Sequence, residues 1–299
     1  MLCGLSYTIG CRGLVRSMNG KTCLVTGATH GVGLATATAL AARGATVLLH
    51  GRDADLGQSL AARISSTTGN PAVRFVRADF MHLEEVRELA EELARLPRLD
   101  VLVNNAALMD GARRRCTAEG YDATFGVNHL APFLLTNLLL PKLEQCAPAR
   151  VVVVASEAHR RAGWLDFDDL MNARVGPLRA YARSKLANLL FVRALAKRLR
   201  DRDVTVNGAH PGLVASGLFR SCPRGLRFLL STVVRPFMRS PLRGARTSIY
   251  LATAPEIEGA SGGYYRDCRR LEPSAAARCD EAAARLWSES VRLTALARV

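Results

Sequence analysis

The stretch Thr22-Cys-Leu-Val-Thr-Gly-Ala-Thr-His-Gly-Val-Gly33 decides the fold that the sequence predicts. Its first five residues form an apolar, β-rich run, and an alanine-rich helical segment follows the glycines from residue 34 to about residue 43. The order is therefore strand, glycine turn and helix. Glycines let the chain turn tightly and approach a phosphate closely, and the unpaired amides at the start of a helix attract phosphate groups. We expect this turn to bind a pyrophosphate.

Strand and helix patterns continue to alternate along the rest of the chain. Further strands are predicted at residues 46–50, 73–78, 101–103, 151–155, 204–209 and 262–265, and helices at 84–96, 119–145 (interrupted near 126 and 132), 178–200, 244–252 and 280–293. Such alternation is typical of a parallel sheet covered by helices on both faces. We therefore expect an α/β fold, a Rossmann-type doubly wound parallel sheet of about seven strands, as a single domain over residues 20–299 behind an N-terminal extension of residues 1–19.

Charge and composition exclude some classes of function. The chain has 299 residues and a formal net charge of +15, with 37 Arg against four Lys. The arginines are scattered and are not interleaved with aromatic residues, so no nucleic-acid surface is expected. A basic amphipathic stretch over residues 218–246 leaves open a peripheral membrane contact and predicts a substrate lid over about 216–246.

The cysteines and the N-terminal residues indicate where the protein is located and whether it binds a metal. The eight cysteines contain no CxxC pair and no metal-ligand spacing, so we expect reduced thiols, no metal site and a cytoplasmic protein. Glycine and arginine interrupt the first 19 residues. We therefore expect no clear signal peptide or membrane span there, although membrane association stays open.

The end of the second predicted strand bears on the choice of cofactor. An acid at this place usually binds a free ribose 2′-hydroxyl, but here Gly51 stands there and Arg52 follows. The planar guanidinium suits a phosphate, and His30 could add a second contact. This favours NADP(H) over NAD(H). The alternative is that Arg52 is a solvated loop residue and that Asp53, one step later, reaches the hydroxyl.

Tyr181 and Lys185 are the candidate catalytic pair. Positions four apart share one face of a helix, and a nearby ammonium should lower the pKa of a phenol, which is about 10 when free. Ser156 ends a buried strand, where ligands bind in open α/β sheets, and could donate to a carbonyl. Asn128 lies in an apolar helix, so structural and catalytic roles both stay open.

Two further strand ends carry candidate cofactor contacts. Asp79 follows the third predicted strand and could accept a hydrogen bond from an adenine amino group, while Phe80 could pack near the base. Asn104 and Asn105 follow the fourth strand, where their amides can brace neighbouring strands and border the cofactor. Glu157 and His159, after Ser156, are expected to be ordinary loop residues.

These motifs occur in one order that resembles the short-chain dehydrogenase/reductase superfamily. They are Thr26-Gly27-x-x-x-Gly31-x-Gly33, Asn104-Asn105-Ala106, Asn128, Ser156, Tyr181-x-x-x-Lys185 and Pro211-Gly212. Finer segments resemble its retinol dehydrogenase branch: Phe125-Gly-Val-Asn-His-Leu130, Ser184-Lys-Leu-Ala-Asn-Leu-Leu-Phe191, His210-Pro-Gly212 and Thr247-Ser-Ile-Tyr250. Ala107 departs from the usual glycine and Ser216 from the usual threonine.

The resemblance implies an NADP(H)-dependent enzyme that interconverts an alcohol and an aldehyde or ketone. It implies a lipophilic substrate such as retinol or retinal, with Asn128, Ser156, Tyr181 and Lys185 as the catalytic residues. The implied cofactor-binding residues are Gly27, Thr29, His30, Gly31, Val32, Gly33, Arg52, Asp79, Phe80, Asn105, Ala106, Tyr181, Lys185, Pro211, Gly212, Val214 and Ser216. A non-catalytic NADP(H)-binding regulator or scaffold of the same fold is the alternative. A homodimer stays open, since the long helices could pack against a partner.

Overall fold

The computed structural model describes residues 17–111, 114–214 and 239–297. Most of the N-terminal extension and most of the predicted lid, including Ser216, lie outside the described residues. The strands are β1 (Thr22–Val25), β2 (Thr46–Gly51), β3 (Val73–Arg77), β4 (Val101–Asn104), β5 (Ala149–Val154), β6 (Val204–His210), β7 (Tyr264–Arg266) and β8 (Arg269–Leu271). The helices are α1 (Gly31–Ala41), α2 (Ala54–Thr68), α3 (Leu83–Ala94), α4 (Ala131–Gln145), α5 (Pro177–Arg198), α6 (Pro241–Thr253) and α7 (Asp280–Leu293).

The strands form one sheet in the order β3-β2-β1-β4-β5-β6-β7-β8. Every pair is parallel as far as β7, and β8 is antiparallel to β7. The doubly wound α/β fold is thus confirmed, with one strand more than the seven expected. The extra strand is a three-residue exposed segment with no apolar alternation, so periodicity could not predict it.

Each central strand contributes side chains to two core layers, one on each face of the sheet. In β1, Leu24 packs with residues of α3, α4 and α5, whereas Cys23 and Val25 pack with those of α1, α2 and α6. Successive strand residues point to opposite faces, and a strand buried on both faces must be apolar throughout. This explains why β1 and β4 are continuous apolar runs.

The predicted helix over residues 119–145 is divided in the structure. A helical turn at Ala123–Phe125 leads into a π-helical turn at Gly126–Leu130 and then into α4. Within the described ranges, Ala123–Gln145 is the one helical stretch long and apolar enough to cross a membrane, but most of it is buried inside the protein. It is a core helix of this fold.

Helix α7 covers the outer face of α4 and α5. The Trp287 ring lies 5.0 Å from Phe133 and 6.1 Å from Phe191, and the Arg198 guanidinium sits 3.8 Å above the Trp287 ring. The chain itself therefore fills the aromatic face where these two long helices meet.

Candidate active site

The glycine turn after β1 lies at the carboxyl edge of the sheet, where the strand order reverses between β1 and β4. Gly27 and Gly31 have φ values of 61° and 54°, a conformation that favours glycine. Helix α1 begins at Gly31, and its N-cap residue His30 makes no side-chain capping hydrogen bond. The first amides of α1 are therefore left for a ligand.

The loop after β4 packs directly on this turn. A Cβ at Gly27 would lie 2.7 Å from the Cα of Ala106, and one at Gly33 would lie 2.4 Å from the Nδ2 of Asn105. Thr26 Oγ1 accepts hydrogen bonds from the amides of Asn105 (2.9 Å) and Ala106 (3.0 Å), and Asn105 Nδ2 donates to the Thr26 carbonyl (2.8 Å). The expected bracing role of Asn105 is thus confirmed.

His50 is a site residue that sequence reasoning missed. The Gly27 amide donates to its Nδ1 (3.3 Å), so its Nε2 carries the proton and donates to the Ala78 carbonyl (3.0 Å). Burial lowers the pKa of His50 to about 4, which keeps the ring neutral. A histidine in an otherwise apolar strand was the available signal, since such a polar group needs partners.

Phe80 lies behind the glycine turn. It is buried and stacks on the His50 ring at 4.3 Å between centroids. Its side chain therefore supports the His50 contact from within the core, and little of its ring surface is open to a base.

Arg52 and Asp53, which follow β2, have different environments. Asp53 caps α2, with its Oδ1 accepting from the Leu56 amide at 3.0 Å. The Arg52 side chain is 63% exposed, and its Nη1 lies 4.0 Å from Asp79 Oδ2. Asp79 Oδ1 accepts from the Met81 amide (3.0 Å). The carboxylate of Asp53 is thus engaged in the protein, while the guanidinium of Arg52 faces solvent.

Thr29 connects this strand end to the glycine turn. A Cβ at Gly51 would lie 2.7 Å from its Cγ2, and its Oγ1 lies 3.0 Å from His30 Nδ1. Thr29, His30 and Gly51 therefore lie together, with Arg52 next in the chain.

Lys185 reaches from α5 to the end of β5. Only 2% of the residue is exposed, its Nζ donates to the Val154 carbonyl at 2.9 Å, and it lies 5.6 Å from the centroid of the Tyr181 ring. Burial lowers the pKa of Lys185 to about 8. Tyr181 and Lys185 thus lie side by side as the helical spacing predicted, and Lys185 also contacts the end of β5.

The expectation that Lys185 lowers the pKa of Tyr181 is wrong for the protein by itself. Burial raises the pKa of Tyr181 to about 12, and the Ser156 side chain acts in the opposite direction through a hydrogen bond. Desolvation disfavours the phenolate, and the ammonium is directed at a carbonyl rather than at the phenol oxygen. Ser156 and Tyr181 are nevertheless in contact, which places a hydroxyl and a protonated phenol side by side.

The side-chain amide of Asn128 makes its hydrogen bonds within the protein. It lies in the π-helical turn, its Oδ1 accepts from the Leu108 amide (2.7 Å), and its Nδ2 donates to the Leu108 carbonyl (2.8 Å) and to Ser184 Oγ (2.9 Å). This side chain joins the loop after β4 to helix α5, next to Lys185. The geometry favours the structural alternative for the amide.

Glu157 and His159 form a short 3₁₀ turn after Ser156 rather than an irregular loop. His159 is buried and donates from Nδ1 to the Ser156 carbonyl (2.7 Å). Glu157 accepts from the Tyr264 hydroxyl (3.2 Å). Both side chains therefore hold the Ser156 turn against its surroundings.

The turn after β6 closes the site. Gly212 has a φ of 83° and follows Pro211, and the Gly212 amide donates to His210 Nδ1 (3.3 Å). Val32 and Val214 lie against α6, since a Cβ at Gly244 would meet both valine side chains within about 3.1 Å. Their side chains are buried, so only their backbones face the site edge.

Two large apolar side chains that are close in sequence to the catalytic residues are exposed. Trp164 is 63% and Leu178 is 65% exposed. Leu178 lies one helical turn before Tyr181, and Trp164 follows the 3₁₀ turn that begins at Ser156. Exposed apolar surface of this kind can mark a binding site for an apolar ligand. Over the described ranges, no group of three His, Cys, Asp or Glu could hold a metal ion.

Residues 21–225 match the family model described as short chain dehydrogenase. The chain is 46% identical over 291 residues to dehydrogenase/reductase SDR family member 13 of Bos taurus, covering 96% of this chain and 76% of that one. It is 42% identical over 289 residues to retinol dehydrogenase 13 of Mus musculus, covering 93% and 85%. Among solved structures, the Pseudomonas aeruginosa RhlG/NADP active-site complex is 29% identical with a TM-score of 0.66, over 83% of this chain and 94% of that one.

Proposed function

The chain belongs to the short-chain dehydrogenase/reductase family, in its retinol dehydrogenase-like branch, and from this we propose that it is an NADP(H)-dependent oxidoreductase that interconverts an alcohol and an aldehyde or ketone. The observation that carries the proposal is the meeting of Ser156, Tyr181 and Lys185 at the end of β5, at the same carboxyl edge of the parallel sheet as the glycine turn after β1. The non-catalytic alternative is not favoured, because every catalytic position of the family motif is filled.

The residues at the turn fit a dinucleotide. Gly27 and Gly31 have the positive φ values of a tight glycine turn, a Cβ at Gly27 or Gly33 would meet the loop after β4, and His30 at the start of α1 makes no side-chain capping hydrogen bond. The bound cofactor would supply a hydride for the carbonyl carbon or accept one from the alcohol. Binding of the pyrophosphate would fall to the Gly27–Gly33 turn, with Asn105 and Ala106 closing one side of it.

Tyr181 would donate its proton to the carbonyl oxygen in reduction and take it back in oxidation. Its raised pKa keeps the phenol protonated at neutral pH, which suits the donating step. Ser156 would hold the same oxygen through its hydroxyl. Lys185 would position the ribose, and Asn128 would hold the loop after β4 against α5.

The preference for NADP(H) rests on the end of β2. Asp53 is engaged as the cap of α2, whereas Arg52 is exposed and offers a fork that suits a 2′-phosphate. The RhlG structure with NADP supports the same choice.

A lipophilic substrate, of which retinol or retinal is an example, is supported by two observations. Leu178, one helical turn before Tyr181, and Trp164, after the 3₁₀ turn capped by Ser156, expose apolar surface, and a relative is named for retinol. The proposal also includes a catalytic domain over residues 20–299 with a lid over about 216–246 and a cytoplasmic location, and it leaves a peripheral membrane contact and a homodimer open.

The test is a panel of aldehydes and ketones of increasing apolar length, incubated with the protein and either NADPH or NADH. We expect NADPH oxidation, followed by absorbance, with kcat/KM rising with apolar length. Dependence on NADH alone would overturn the cofactor preference. No turnover with any pair of substrate and cofactor, despite measurable NADPH binding, would support the regulator or scaffold instead.

A further inference from the structure

A small cavity lined by charged groups lies outside the glycine turn. Its volume is about 180 Å³, and it is lined by Arg239, Arg243, Arg246 and Asp267. We call these four residues the arginine cavity. Arg243 and Arg246 lie in the first half of α6, and Asp267 lies in the turn between β7 and β8.

Backbone contacts hold the arginine cavity in place. The Arg239 amide donates to the Leu213 carbonyl at 2.8 Å, and Arg239 forms an isolated parallel bridge with Val214. A Cβ at Gly212 would lie 2.7 Å from the Arg239 side chain. The cavity therefore adjoins the turn after β6 but is formed by other side chains than the proposed cofactor site.

The positive charge exceeds the negative charge around this space. Arg239 Nη1 and Nη2 donate to the two oxygens of the Asp267 carboxylate, and Arg266 Nε lies 3.5 Å from the same group. Arg239 first, and then Arg266 and Arg246, hold the pKa of Asp267 below its usual range. One carboxylate thus faces several cations, and the four lining residues carry a net charge of +2.

Mutual repulsion among close guanidinium groups is unfavourable unless counter-charge is present. Asp267 supplies one negative charge, and Arg243 stands exposed at the rim. An anion that entered the cavity would meet the exposed donors of Arg243 and the positive charge of Arg239 and Arg246. Because arginine binds tetrahedral and planar anions through paired N–H groups, such an anion would be held by directed hydrogen bonds as well as by charge.

We propose that the arginine cavity is a binding site for a phosphate group. The net charge of +2 matches a phosphate near pH 7, which carries about −1.5 to −2. The cavity is smaller than the roughly 300–1,000 Å³ of typical pockets for small-molecule ligands, so it takes one anionic group rather than a whole metabolite. The phosphate comes either from a free phosphate or from a phospholipid headgroup, and both present the same oxygens.

The experiment measures binding of inorganic phosphate to the full chain by calorimetry, with chloride at matched ionic strength as the reference. The titration is run with and without NADPH, because phosphate also competes for the glycine turn. We expect phosphate binding that persists when NADPH is present. A second experiment measures co-sedimentation of the protein with vesicles that contain a phosphomonoester lipid. Vesicles that contain phosphatidylserine instead are the control for negative charge.

Variants assign the binding to the cavity. Arg243→Gln and the double variant with Arg246→Gln should weaken phosphate binding by about tenfold or more, because each loses charge-assisted hydrogen bonds. The matched control is Arg63→Gln with Arg74→Gln, two exposed arginines on α2 and β3, at the far end of the sheet. Arg243→Gln alone changes an exposed residue, so loss of folding would not confound it.

The outcomes separate the sources and test the site. Tight phosphate binding with no preference for the phosphomonoester vesicles indicates a free phosphate, and a preference abolished by Arg243→Gln indicates a lipid headgroup. Equal phosphate affinity in the cavity variants, the control and the unchanged protein would overturn the proposal. So would phosphate binding that disappears whenever NADPH is present. Neither result depends on catalytic turnover.

Discussion

Lys185 Nζ donates a 2.9 Å hydrogen bond to the carbonyl oxygen of Val154, two residues before Ser156. This bond ties helix α5 to the end of β5 and so sets the positions of Tyr181 and Ser156 relative to each other. The lysine that the sequence pairs with a tyrosine is thus bonded to the sheet in the protein. Its burial has a measurable consequence for stability.

Lys185→Met tests the burial of this ammonium. Native Lys185 releases its proton near pH 8 and the unfolded lysine near 10.5, so the unfolded state binds more protons between these values. The free energy of unfolding of the unchanged protein, minus that of the variant, should therefore rise by up to about 3 kcal/mol from pH 8 to 10.5. Denaturant unfolding across this range measures it, and a flat difference would contradict the burial.

Tyr181→Phe removes the proposed proton donor and keeps the ring. Turnover should fall by roughly 10²–10⁴-fold, while the dissociation constant for NADPH stays within a few-fold, because the phenyl ring still fills its place. Steady-state kinetics and fluorescence titration of NADPH measure the two quantities. Turnover close to that of the unchanged protein would remove Tyr181 from its role.

Gly33→Ala places a methyl group where the loop after β4 contacts the glycine turn. Its Cβ would lie 2.4 Å from Asn105 Nδ2 and 2.4 Å from the Gly27 carbonyl oxygen, so we expect a loss of about 1–3 kcal/mol of stability and weaker NADPH binding. Gly176→Ala is the matched control, since nothing lies within 4 Å of its Cβ and the weaker N-cap preference of Ala than of Gly should cost no more than about 1 kcal/mol. Equal urea midpoints for both variants would argue against the close packing.

His50→Leu removes the side chain that joins β2 to the glycine turn. The Gly27 amide and the Ala78 carbonyl lose their partner, which should cost about 1–3 kcal/mol, whereas His50→Gln keeps a donor and an acceptor and should recover part of it. Native His50 has a pKa of about 4 against 6.5 when unfolded. The stability of the unchanged protein should therefore fall, relative to His50→Leu, as the pH is lowered from 6.5 to 4. Unfolding midpoints at these pH values measure the difference, and parallel pH curves would contradict it.

Arg52→Gln tests the choice between cofactors. Loss of a charge-assisted contact should raise the dissociation constant for NADPH by about tenfold or more and leave that for NADH nearly unchanged. Arg63→Gln, an exposed change on α2 with the same loss of charge, controls for net charge. Equal weakening of both cofactors would show that Arg52 does not contact the 2′-phosphate.

Local patterns of the sequence determined most of the fold. The apolar run, the glycine spacing and the four-residue step from Tyr181 to Lys185 are properties of short segments, and they predicted strands, helices and a shared helix face because backbone geometry has a fixed period. The three-residue β8 and the π-helical turn escaped this reasoning, since neither has a periodic signature of its own. Helix α2 (Ala54–Thr68) was not predicted either.

Contacts between segments distant in the sequence decided the rest. Three contacts depend on where the strands and helices come together. His50 accepts a hydrogen bond from Gly27, Asn128 joins Leu108 to Ser184, and Asp53 caps α2. The pKa of Tyr181 shows the difference most directly. The sequence placed an amine within reach of a phenol, but only the tertiary structure determines how much water each group loses and that the amine is directed at Val154. Desolvation therefore outweighs the lowering effect of the Ser156 hydrogen bond on the pKa of Tyr181.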